Sequence, residues 1–129
     1  MSASEALVAA ATAALQGVAG LGIHGGPPLH AGLPHAVIEA GPETDWSHKS
    51  GAGREVRLAV VLHDRGERPD RLRRLIGEAD GALAVVTAVE GWQLVSLRFL
   101  RSRIVAPSRG GAEADWAGVI EYRARMLAA

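Results

Sequence analysis

The chain has 129 residues, 48% of them apolar and 22% charged, with Lys plus Arg equal to Asp plus Glu at 14 each. That profile fits one globular domain over residues 1–129 and excludes a disordered chain. The charge balance excludes a protein that grips nucleic-acid phosphates through a large positive excess. Cysteine is absent, which removes disulfides, thiolate metal sites and cysteine nucleophiles.

The opening stretch to Gly17 has small residues and an apolar middle, but it lacks a basic leading region and Glu5 interrupts it. It is expected to belong to the mature protein and not to a secretion signal. No apolar run reaches the roughly 20 residues of a membrane-spanning helix. A soluble chain made in the cytoplasm, with no membrane partner, is the expectation. Ser2 and Glu5 have capping-box spacing, and Leu7, Ala11, Ala14, Leu15 and Val18 recur on one helical face. Such a small, Ala-rich stripe suits close packing on a sheet. Gly25-Gly26-Pro27-Pro28 through Gly32 is expected to be a loop, and the Gly22–Gly26 and Gly51–Gly53 stretches to be turns.

Leu33 to Ala40 has the pattern of a short strand led in by proline. Gly41 to Gly53 is polar and long for a hairpin connection, a property of functional or mobile loops. Arg54 to His63 alternates, with Val56, Leu58, Val60 and Leu62 on one face and Glu55, Arg57, Ala59, Val61 and His63 on the other. Pro69 suits the first turn of a second helix, whose stripe is Leu72, Leu75, Ile76, Ala79 and Leu83. Ala84 to Val89 either extends that helix or forms a short extended piece. Gln93 to Phe99 alternates and runs on toward Val105; Pro107 to Gly111 supplies a turn; Trp116 to Met126 alternates again. The expected fold is α+β, an antiparallel sheet of about four strands with both helices packed on one face.

Catalytic chemistry has little to stand on. The five histidines (His24, His30, His35, His48, His63) show no helical ligand-pair spacing, so no metal site and no cofactor is expected. Ser47 and Ser108 lack the Gly-x-Ser-x-Gly pattern of a nucleophile elbow. His63-Asp64 is the only acid–base candidate, and a solvated strand end explains it as well. No catalytic residue is therefore assigned. Arg98, Arg101, Arg103 and Arg109 form a basic cluster that Arg125 and Arg123 join if the last two strands pair. Phe99 alone interleaves with it, where single-strand binders use several stacking platforms. The alternative to a nucleic-acid module using Arg98, Arg101, Arg103 and Arg125 is a charged face that keeps a sheet soluble. In the segment Glu43, Thr44, Asp45, Trp46, Ser47, His48 and Lys49, a tryptophan sits among polar residues. Either it folds back onto the domain or it anchors a partner.

Taken together, the chain resembles the tail terminator (tail completion) family of long-tailed phages and phage-like gene transfer agents. The likeness runs through the Ala/Leu-rich first helix, Gly22-Ile23-His24, and Leu33-Pro34-His35-Ala36-Val37-Ile38. It continues through Thr44 to Gly51, Glu55 to Val60, and the closing Gly118-Val119-Ile120-Glu121-Tyr122-Arg123-Ala124-Arg125. The resemblance implies a structural subunit, not an enzyme, located in the tail of a virion or gene transfer agent and assembled in the host cytoplasm. It implies a homo-oligomeric ring of six that caps the tail tube protein and meets the head-side connector or stopper. DNA would pass through its lumen without specific binding. The segment from Glu43 to Lys49 is the expected partner contact.

Overall fold

The computed structural model describes residues 1–24 and 32–129. Of the loop expected from Gly25 through Gly32, residues 25–31, with His30, lie outside the described residues. Helix α1 (Ala3–Leu15) begins with the anticipated capping box: the Ser2 hydroxyl accepts from the Glu5 amide, and the Ser2 amide donates to Glu5 Oε1. Its stripe of Ala3, Ala6, Leu7, Ala11 and Leu15 is buried. Helix α2 (Asp70–Ala84) buries Leu72, Leu75, Ala79 and Leu83, with Pro69 at its N-cap. After Ala84 the chain leaves the helix, and Val89 forms an isolated bridge to Trp92 instead.

Among the described residues five strands form one sheet: β1 (Gly22–His24), β2 (His35–Asp45), β3 (Gly53–Arg65), β4 (Trp92–Val105) and β5 (Asp115–Ala128), in the order β1-β2-β3-β5-β4. The expectation of about four antiparallel strands needs two corrections. Gly22–His24, expected as a turn, is a fifth strand, and it runs parallel to β2, so the sheet is mixed. The polar segment after Ala40 opens as strand, because β2 continues through Gly41-Pro42 to Asp45. A register shift between Ala40 and Glu43 absorbs the Gly-Pro pair. Among the described residues β1 pairs only as far as Val37, which leaves this part of β2 as an edge where proline is tolerated.

Both helices pack on one face of the sheet and touch each other. Ala36, Ile38, Val56, Leu58, Val60, Leu62, Ile120, Tyr122, Ala124 and Met126 meet the helical stripes there in a single core. The period of two predicts which residues of β3 and β5 enter it, and all of them are buried except Trp116, which is half-buried at the margin of the core. Contact is closest where α2 crosses β5: a Cβ on Gly118 would stand 2.5 Å from Ile76 Cδ1. Among the described residues no helix is long and apolar enough to cross a membrane.

Candidate functional site

The β2–β3 connection is shorter and more ordered than a 13-residue loop. Trp46 N–H donates to Gly53 O at 2.9 Å, and His48 and Gly51 exchange backbone hydrogen bonds at 2.9 and 3.1 Å. The hairpin thus continues beyond its strands and turns at Lys49-Ser50. Gly53 is dictated by this closure, since a Cβ there would lie 2.3 Å from Trp46 O. Ser47, His48, Lys49, Ser50, Gly51 and Ala52 are all exposed.

Side chains brace the base of the hairpin. Glu43 Oε1 accepts from the Ser4 amide at 3.0 Å and the Ser4 hydroxyl at 2.6 Å, bringing a carboxylate to the N-terminal turn of α1. Arg54 pairs with both Glu43 and Asp45, at 3.4 and 3.2 Å. The Ser47 hydroxyl donates to Asp45 and accepts from the Gly53 amide. That hydroxyl, more than Arg54, holds the Asp45 carboxyl below the usual range. Trp46 is half-buried: Arg125 lies over its ring at 5.5 Å and the His48 ring meets it edge-on at 4.5 Å. The seven expected contact residues therefore divide. Glu43, Asp45 and Ser47 are engaged within the chain, Trp46 is partly folded back with His48 against its ring, and Thr44 and Lys49 are exposed.

The opposite face of the sheet is covered by no helix among the described residues. By register it carries Glu39 of β2, Arg57 and Glu55 of β3, Glu121, Arg123 and Arg125 of β5, and Arg98, Arg101 and Arg103 of β4. The four arginines of the nucleic-acid reading share this face, but two are held by carboxylates: Arg101 by Glu121 and Arg125 by Glu55. Arg101, by hydrogen bonding, keeps the Glu121 carboxyl below its ordinary range. Arg57 and Arg123, which strand alternation puts on the outward side of β3 and β5, belong to the same face, and the strand register aligns them with Arg98. A groove of 530 Å³ crosses it, lined by Pro42 of β2, Leu100 of β4, and Arg57, Ala59, Glu121 and Arg101 between them.

The sheet also gathers histidines that the sequence leaves apart. His35 and His63 are cross-strand partners with ring centroids 5.1 Å apart, and His24 meets His35 at 5.5 Å. Burial, then the neighbouring His35, pushes the His63 imidazole below its usual pKa. No group of three or more His, Cys, Asp or Glu among the described residues is placed to hold a metal ion. The His63-Asp64 pair does not form an acid–base unit. Strand alternation sends Asp64 to the helix face, where it receives Arg71 Nε at 2.8 Å and the Arg65 amide at 2.8 Å. Burial raises the Asp64 carboxyl, but the Arg71 and Arg65 hydrogen bonds outweigh it and leave the group below its ordinary pKa.

A 14-residue edge strand completes the accessible surfaces: β4 has no strand on its outer side among the described residues and exposes Val95, Phe99, Leu100 and Val105. A two-layer α+β domain with a bare sheet face, a long free edge and a braced hairpin tip is one that offers surfaces to other proteins. The chain belongs to the family described as Tail completion protein gp17, whose model matches residues 5–127. It is thereby a structural component of the tail of a phage or phage-like particle, assembled there with other proteins of that particle. Its fold is similar to that of a chain in a solved structure described as the virion of a native gene transfer agent (GTA) particle. The TM-score is 0.65 at 21% identity, over 98% of this chain and 99% of the other. Among curated proteins none matches.

Proposed function

We propose that the chain is the terminator of its tail: copies close into a ring of six on the end of the tail tube, stop its growth and present a surface to the head-side connector or stopper. The role is structural, not catalytic. DNA passes through the lumen without specific binding. The observation that carries this reading is the braced hairpin tip. Ser47 to Ala52 stand exposed on a base tied to α1 by Glu43 and to β5 by Trp46–Arg125. A pre-ordered loop loses little entropy on docking, and tryptophan is favoured among interface anchors.

A closed ring needs two different complementary surfaces on each subunit. The free edge of β4 supplies one by strand addition or side-chain packing, and the hairpin tip is assigned to the tube. The test is native mass measurement of the purified chain, alone and mixed with tail-tube protein. A six-copy species formed alone or on the tube supports the reading; no association with itself, tube or connector would sink it.

A further inference from the structure

On the bare sheet face, Arg57, Arg123 and Arg98 occupy one row across three adjacent strands: Arg57 pairs with Arg123 in β3–β5 register, and Arg123 with Arg98 in β5–β4 register. Directly opposite residues have Cβ atoms about 4.5–5.5 Å apart, and like charges at that spacing repel. Counterions within the chain are too few. Glu55 Oε1 accepts a 3.1 Å hydrogen bond from Arg125 Nε and stays 3.9 Å from Arg123 Nε, beyond hydrogen-bonding distance. Glu121 is taken by Arg101. Arg57 and Arg98 have no ion pair among the described residues, and the Nε of Arg123 is buried with no hydrogen-bond partner. Native structures seldom leave such a donor orphaned.

We propose that this arginine row is a docking site for carboxylates of a second copy of the chain. The face bears seven arginines (57, 65, 98, 101, 103, 123 and 125) against four carboxylates (Glu39, Glu55, Asp115 and Glu121), although the whole chain is neutral. The rest of the surface therefore carries the matching negative excess, with Glu67, Asp70 and Glu90 exposed and outside any ion pair among the described residues. Each copy is thus complementary to the next, head to tail, as ring closure requires. Composition selects a protein over a nucleic acid. Arginine is enriched at protein interfaces, and the groove beside the row has apolar Pro42 and Leu100 in its walls.

This inference rests on the ring reading and names its contact surface. The experiment compares wild type, Arg123→Met and the pair Arg57→Met with Arg98→Met in the full chain, by thermal unfolding of dilute protein and by sedimentation across salt concentrations. Removing the repulsion is expected to raise the melting temperature of the isolated chain by about 2–6 °C. Self-association is expected to weaken at least tenfold, and wild-type association to fall with added salt. A residue that merely holds the fold would lower the melting temperature instead. Variants that associate as tightly as wild type, or a wild type that stays monomeric at every salt and concentration, would overturn the proposal. So would arginine-dependent binding of a DNA oligonucleotide with no effect on self-association. Rings that form on the tube with wild type and variants alike would remove this inference and leave the ring reading standing.

Discussion

Replacing Asp64 by Asn tests the account of how the domain's upper end is fixed. The carboxylate is 6% exposed and accepts from Arg71 through both Nε and Nη2, and from the Arg65 amide. It therefore ties the last residues of β3 to the first turn of α2. Breaking a buried pair costs about 3–5 kcal/mol, but Arg71 is half exposed and regains water, which lowers the expected loss to about 2–3 kcal/mol. For a chain of this size that corresponds to about 10 °C in melting temperature. Because the folded pKa of Asp64 lies below the unfolded one, its contribution is fully present above the unfolded value of about 3.9. It is lost as pH falls through the folded pKa. Calorimetry of wild type and Asp64→Asn at pH 7 and pH 3 measures both effects: a gap near 10 °C at pH 7 that shrinks at pH 3. A loss under about 2 °C at pH 7, or an unchanged gap at pH 3, would refute the reasoning.

Gly118→Ala places a methyl against Ile76, a side chain able to yield, so a cost of about 1–2 kcal/mol is expected in denaturant unfolding, and Ile76→Val in the same chain recovers most of it. His63 has a folded pKa below its unfolded value, so stability is lost as pH falls from about 6.5 through the folded pKa. His63→Gln flattens that part of a melting-temperature profile between pH 7 and pH 5. Trp46→Ala costs about 1 kcal/mol of stability, given a half-buried ring with one cation–π contact, yet abolishes binding to tail-tube protein in a titration.

Most of the fold is legible in the sequence because its signals are periodic. The stripes Leu7–Ala11–Leu15 and Leu72–Leu75–Ala79–Leu83 mark the helices, and the alternations in Arg54–His63 and Trp116–Met126 mark the central strands. Gly22–His24 escapes because three residues carry no period. The extension of β2 escapes because Gly41-Pro42 has the composition of a break, and only an edge position lets a strand pass through it. The candidate site is legible in part. The Trp46 segment stands out by composition, whereas the Arg57–Arg123–Arg98 row depends on the register of three strands separated by up to 66 positions, which no local pattern encodes.

Termination of tube growth is the central claim, and polymerising tail-tube protein with and without this chain tests it most directly. Electron micrographs of the mixture should show tubes that stop lengthening once the chain is added, each with a ring of density at one end, and Trp46→Ala should abolish both. Tubes that keep growing at the same rate with bare ends, in the presence of folded wild-type protein, would contradict the account.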